Sequence, residues 1–367
     1  MAKTKLQGRL RHKARSLATI SLISARVLAR RAVGRPLVPQ WGPLFEIANL
    51  FWRAQFDHAF ALRDIAEARA YFDSLVHVLD SSPEVDIRPS LPGEPRGDWF
   101  IPRTRKGEAT LLYFHGGGYT FYAAVTRQLI AMLADTLGFP IFAPDYRLTP
   151  EHPHPAQIED ALTAYRFLLA QGVDPSRLVV CGDSAGGHLM LMTLIELRKA
   201  GLPQPAIGIG LSPWTDVGRR GASQFGNDRY DLVQGYMTLQ FAAWLKGGGG
   251  FGDAELSPID QDLRGLAPLY LQAGGKEILV DMIRDFARTA RTQNAPVRLD
   301  VWEHMTHEFQ AHGQELPESR EAIKRLEEAI RWAVAPAGEE TGFPSTPQTE
   351  IDTLPKEGKR CVTAHPT

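Results

Sequence analysis

The chain has 367 residues, with 41 Lys+Arg against 42 Asp+Glu and only two Cys. That length admits one large α/β domain with embellishments, or two ordinary domains. A hydrophobic content of 44% supplies a sizeable core and excludes global disorder, while a net charge of −1 argues against a chain built as a whole to bind nucleic acid. Cys181 and Cys361 cannot build a disulfide framework, and a cysteine-based zinc site lacks ligands. No apolar run approaches the roughly 18–20 residues needed to cross a bilayer. The expectation is a soluble protein of a reducing compartment, cytoplasmic in type.

The balanced charge hides an asymmetry. Residues 1–45 carry ten basic residues and no Asp or Glu, the first acid being Glu46, so the remainder has a net charge of −11. Leu17, Ile20, Leu22, Ile23, Val27 and Leu28 stand between the cations. Three readings are open. The segment has the composition of a mitochondrial presequence, of an amphipathic helix on an anionic membrane surface, or of a helix that covers an apolar face of the main domain with its cations in water. A secretory signal is not expected, since the apolar stretch is interrupted by Ser and Thr.

Residues 41–79 have helical periodicity and need a body to pack on, so 1–80 reads as a basic segment plus the first part of a helical cap. Residues 81–107 are turn-rich, with five prolines. Strands are then expected at 110–114, 140–144, 178–181, 207–211, 269–273 and 297–302. Helical patterns fall between them, at 125–137, 158–169, 189–198, 278–292 and 317–334. Strands without polar alternation are buried on both faces, so the class is α/β, with a mostly parallel central sheet and helices on both faces. Residues 215–265 are too long for an ordinary connection and read as a cap insertion within a core of 81–335. Residues 336–367 hold five prolines and little apolar content, and are expected to be a disordered tail.

The strongest local signal is Val179-Val180-Cys181-Gly182-Asp183-Ser184-Ala185-Gly186-Gly187. An apolar strand runs into Gly-x-Ser-x-Gly and then a helix, which is the setting of a nucleophile elbow. The second is Leu111-Leu112-Tyr113-Phe114-His115-Gly116-Gly117-Gly118-Tyr119. A buried strand again ends in glycines, whose amides can turn outward to a developing oxyanion. A phosphate loop would need a following Lys-Ser/Thr, which is missing.

With Pro144-Asp145-Tyr146-Arg147-Leu148-Thr149-Pro150-Glu151-His152-Pro153 between them, these motifs resemble the hormone-sensitive-lipase-like esterases, the bacterial family IV type, of the α/β-hydrolase superfamily. The resemblance covers roughly residues 111–335. It implies an α/β-hydrolase fold with a helical cap and a Ser-His-acid triad. The base is His307, in His307-Glu308-Phe309, with His304 as competitor. The acid is Glu277, where the family usually has Asp, with Asp281 as the alternative. The oxyanion donors are the amides of Gly117, Gly118 and Ala185, and His115 shapes their loop. Asp145, Tyr146, Glu151, Pro153 and Asp160 match a structural stretch of the family. Tyr119, Trp214 and Phe309 are candidates for the substrate pocket or for core packing.

Some patterns fail their context tests. His307 and His312 are five apart, about 140° around a helix, and cannot share a metal as an i, i+4 pair does. His152 and His154 lack a third ligand. The Gly247–Gly252 run follows a helical segment rather than a strand, which removes the dinucleotide reading. The expectation is therefore a serine carboxylesterase without metal or organic cofactor. It would act on short- to medium-chain acyl esters, or on lactones or acetylated small molecules, through an acyl-enzyme. The competing reading is a non-catalytic small-molecule receptor on a hydrolase scaffold. No nucleic-acid partner is expected; a homodimer and a peripheral membrane contact through 1–45 stay open.

Overall fold

The computed structural model describes residues 3–6, 8–78, 84–336 and 343–355. A short strand β1 (Lys3–Leu6) leads into the long helix α1 (Leu10–Ala32). Helix α2 (Pro43–Ala61) starts with Pro at its first turn, where the missing N–H costs nothing. Helix α3 (Ile65–Phe72) is capped by Asp64, which accepts the Ala66 N–H at 2.9 Å. Strand β2 (Leu75–Val78) pairs antiparallel with β1.

Strands β3 (Val85–Pro89) and β4 (Gly97–Pro102) form an antiparallel hairpin at the start of the main sheet. The turn-rich reading of this stretch missed both strands. Pro89 is tolerated because β3 is an edge strand, and Pro102 because it is the last residue of β4, beyond the residues that pair with β6.

The core follows as β5 (Thr110–Phe114), α4 (Ala124–Leu137), β6 (Ile141–Pro144), α5 (Ala156–Ala170), β7 (Leu178–Asp183), α6 (Ala185–Lys199) and β8 (Ile207–Leu211). The insertion carries α7 (Ser223–Gly226), α8 (Gly235–Lys246) and α9 (Asp253–Leu256). After it come β9 (Leu269–Gly274), α10 (Val280–Thr292), β10 (Val297–Trp302), α11 (Pro317–Val334) and β11 (Thr349–Asp352). The sheet order is β11-β10-β9-β8-β7-β5-β6-β4-β3, with the six strands from β10 to β6 parallel.

Period-two alternation decides which layer each side chain joins. Leu112, Phe114, Val180, Leu271 and Leu299 pack with α5, α6 and α10 on one face. Leu111, Tyr113, Val179, Ile209 and Tyr270 pack with α4 and α11 on the other. Both sets are apolar because both faces are covered. Each fully buried aliphatic side chain contributes about 1.5–3 kcal/mol, so one charged residue on either face would be costly.

The disordered-tail expectation is corrected for residues 343–355; residues 337–342 and 356–367 lie outside the described part. Strand β11 pairs antiparallel with β10 and closes that sheet edge. The cause is a buried cation. Arg298 is fully buried and donates to the carbonyls of Phe343 (2.9 Å) and Pro344 (3.0 Å) and to Asp300 (3.0 Å). Its guanidinium lies 4.1 Å from the Phe343 ring centroid. A buried guanidinium needs such acceptors, and composition gives no sign of that need.

Candidate active site

The turn from β7 to α6 places Ser184 with φ 52°, ψ −118°, a region L-residues seldom occupy. Crowding by glycines makes this possible: a Cβ on Gly186 would overlap the Phe114 carbonyl, and one on Gly182 would overlap Gly186. The Ser184 N–H is tied to the Leu211 carbonyl at 2.9 Å, and its own carbonyl accepts from Trp214 at 3.0 Å. The strained residue is thus held by β8 as well as by its own helix.

The glycine loop after β5 comes in beside it. Gly117 (φ 103°), Gly118 (φ 61°) and Tyr119 (φ 61°) all have positive φ. Gly117 accepts from the amides of Thr120 and Phe121, which folds the loop back on itself. Ala185 is the first residue of α6, so its amide has no carbonyl four residues back to bond. His115 is sandwiched between Tyr122 and Tyr146, with ring centroids 3.9 and 4.2 Å away. Burial depresses its pKa to about 3, so it packs as a neutral ring.

His307 follows β10. Its backbone N–H donates to Asp231 Oδ1 at 3.0 Å. Its Nδ1 lies 3.9 Å from Glu277 Oε2. Glu277 is fully buried, and its Oε2 accepts from Ser212 Oγ (2.6 Å) and the Gly274 N–H (3.1 Å). Among the described residues, Glu277 Oε1 and His307 Nδ1 have no hydrogen-bond partner. Burial, with the Asp231 carboxylate nearby, raises the Glu277 pKa to about 8; burial lowers that of His307 to about 3.

Ser184, Ala185, Gly116, Gly117, Gly118, His307 and Glu308 line one cavity of about 770 Å³. Its remaining wall is largely apolar, with Phe51, Trp52, Phe56, Phe121 and Phe241 among the contributors. Leu44 also lines it yet is 67% exposed, so the cavity reaches the surface beside the start of α2.

Asp281 stands apart: its Oδ2 accepts the Ser223 N–H at 2.9 Å, fastening α10 to the insertion. His304 engages through its carbonyl, which accepts from the Trp41 indole. Of the pocket candidates, Trp214 lines the cavity, whereas Tyr119 and Phe309 are corrected to core residues. Positive φ turns Tyr119 inward, where its hydroxyl bonds His188 Nδ1 at 2.6 Å. Phe309 packs against Trp302.

Three residues were not foreseen. Ser212, at the end of β8, donates to Glu277 and accepts the Glu308 N–H at 3.2 Å. Sites gather at the carboxyl ends of parallel strands, and that was the signal available. Glu308 has φ 51° and its Oε1 is 3.5 Å from His307 Nε2. Burial and the neighbouring Asp183 carboxyl push its pKa well up, and burial likewise raises that of Asp183. Asp231, in the insertion, is fully buried and accepts from His307, Ile278 (2.7 Å) and Leu232 (2.8 Å). Burial raises its pKa to about 7. Nothing in its local sequence marks it.

Residues 111–311 match the family model described as the alpha/beta hydrolase fold. An acetyl-hydrolase of Streptomyces hygroscopicus is 37% identical over 66% of this chain and 81% of that protein. An esterase of Acinetobacter venetianus is 30% identical over 71% and 86%. A crystal structure of an esterase from the bacterial hormone-sensitive lipase family superposes with TM-score 0.70 at 34% identity, covering 77% of this chain and 97% of that one. Among the described residues, no helix is long and apolar enough to cross a membrane. A strained serine at a strand-to-helix turn, a positive-φ glycine loop beside it and these relatives agree: the chain belongs to the hormone-sensitive-lipase-like esterases of the α/β-hydrolase family and is a carboxylesterase.

Proposed function

We propose that Ser184, His307 and Glu277 are the catalytic triad of this esterase, working through an acyl-enzyme. His307 Nε2 takes the hydroxyl proton as Ser184 Oγ attacks the ester carbonyl. The carbonyl oxygen becomes an oxyanion facing the amides of Gly117, Gly118 and Ala185, with the α6 N-terminus behind them. Glu277 receives the Nδ1–H of the imidazolium. The 3.9 Å gap between them closes by about 1 Å as that charge develops, in keeping with the longer hydrogen bonds of free enzymes. His307 then gives the proton to the departing alcohol. The same imidazole activates the water that releases the acid.

Asp231 is a positioning residue in this scheme. It clamps the amide of the base to an amide of the acid's loop, and so fixes their separation from the insertion side. The apolar cavity of about 770 Å³ supports acyl chains of short to medium length.

The observation that carries this reading is the convergence of Ser184, His307 and the glycine loop on one cavity, with the buried Glu277 behind the imidazole. A series of p-nitrophenyl esters from acetate to laurate tests it. Turnover should peak at short to medium chains and disappear in Ser184→Ala. Persistent hydrolysis by Ser184→Ala, or failure of a serine-directed phosphonate to label the wild-type protein, would refute it.

A further inference from the structure

Helix α1 has two apolar faces, and the fold uses only one. His12, Ser16, Ile23 and Val27 turn inward at spacings of four, seven and four, with Ile20 beside them. Ile23 and Val27 pack on Phe51 of α2, and Ser16 Oγ accepts from Gln55 at 3.0 Å. The opposite stripe is Leu10, Ala14, Leu17, Ser21, Ala25, Leu28 and Ala32, at spacings of three and four, and every member is exposed. Leu10 is 82% exposed, and Leu17 and Leu28 57%. Among the described residues, six of the ten exposed large hydrophobic side chains fall between Leu10 and Leu44. Such clustering is not the scattered surface leucine of an ordinary protein.

The cations of α1 flank the stripe. On a helix with 100° per residue, Arg11, Arg15 and Arg26 lie along one side and Lys13 along the other. Arg11 pairs with Glu67, and Arg31 is held by Glu46 at 2.6 Å. The helix contains no Asp or Glu. An apolar stripe bordered by long cationic side chains suits the boundary between acyl chains and anionic headgroups, where stems stay in the apolar zone and charges reach phosphates. A second copy of the chain fits less well, because two such helices would set cation against cation with no acid between them.

We propose that α1 is an interfacial helix that docks this protein on an anionic lipid surface. Docking brings the cavity opening at Leu44 close to that surface, since residues 33–42 connect α1 directly to it. The docking itself is independent of the chemistry at Ser184. Delivery of membrane-partitioned esters to the cavity rests on the esterase reading.

The test is co-sedimentation of the full chain with vesicles of phosphatidylcholine alone or with about 30% phosphatidylglycerol. Binding should be at least about tenfold stronger to the anionic vesicles, and should weaken about tenfold or more between 0.1 and 0.5 M salt. Leu17→Asp/Leu28→Asp should abolish it. That variant should keep wild-type hydrolysis of p-nitrophenyl acetate and wild-type melting, which separates lost docking from lost folding and from failure of the catalytic scheme. Equal partitioning into neutral and anionic vesicles, or undiminished binding by the double variant, would overturn the proposal. So would a dimer in sedimentation velocity that the double variant dissolves while the wild type ignores vesicles; the stripe would then be an interface between copies.

Discussion

Glu277 and His307 face each other across 3.9 Å of buried space, each with one nitrogen or oxygen still unpaired among the described residues. The carboxylate is not free to swing to other partners. Ser212 and the Gly274 amide hold its Oε2, and Asp231 holds the His307 backbone. In the proposed triad an acid held so closely would act through charge and orientation, and substitutions distinguish those contributions from simple packing.

Glu277→Gln keeps the shape and removes the charge. It should lower kcat by about 10²–10⁴-fold with little change in KM, because an imidazolium forms only on the way to the transition state. Asp281→Asn should stay within about threefold of wild type, since its carboxylate serves Ser223. Steady-state kinetics of the two variants decide it. A severe loss in Asp281→Asn with an active Glu277→Gln would reverse the assignment.

The pH dependence follows from the same pair. His307 stands near pKa 3 in the free enzyme and is neutral throughout the working range. In the proposed triad Glu277, raised to about 8, becomes the group whose ionisation limits activity. The kcat/KM profile should therefore climb with pH and level off above about 8. Asp231 is one cause of that rise, so Asp231→Asn should move the limb to lower pH while lowering kcat through the lost clamp. An unchanged limb with reduced kcat would mean that Asp231 acts on geometry alone.

Stability carries a matching signature. Glu277 and Asp231 have folded-state pKa values of about 8 and about 7, above their ordinary values. The folded protein therefore keeps protons that the unfolded chain has released. The stability they contribute is fully present below the ordinary carboxyl range and falls as pH rises, levelling off beyond about 8. Urea melts across that range should show the slope reduced in Glu277→Gln; an identical slope would remove Glu277 as a source.

Gly117 has φ 103°, and a Cβ there would overlap the Phe121 carbonyl. Gly117→Ala must move the loop, and with it the proposed oxyanion amides. The expected loss is about 10²–10³-fold in kcat, the scale of one missing oxyanion donor, with the melting curve little changed. Retention of kcat within about threefold would take Gly117 out of the oxyanion hole.

Ending the chain at residue 336 removes the two carbonyls that receive Arg298, together with β11. The buried guanidinium would keep Asp300 but lose these two acceptors, at about 1–3 kcal/mol for each unmet partner. Differential scanning calorimetry should register a melting midpoint lower by about 5 °C or more. A shortened chain that melts with the full one would show that the segment is dispensable.

The sequence by itself determined what short-range chemistry dictates. Gly182-x-Ser184-x-Gly186 between an apolar strand and a helix admits one turn. His115-Gly116-Gly117-Gly118 after a buried strand admits one kind of loop. Uninterrupted apolar strands require cover on both faces, and the Pro317 start of α11 was visible at its first residue. Tertiary structure decided the rest, because the deciding contacts join residues far apart in the chain. Glu277 and Asp281 lie one turn apart, and only Ser212 and His307 distinguish them. Asp231 acts on a residue 76 positions away and leaves no local mark. The segment from 343 reads as tail until Arg298 needs its carbonyls. The sequence does not say which apolar face of α1 is covered; packing on α2 consumed one and left the other exposed.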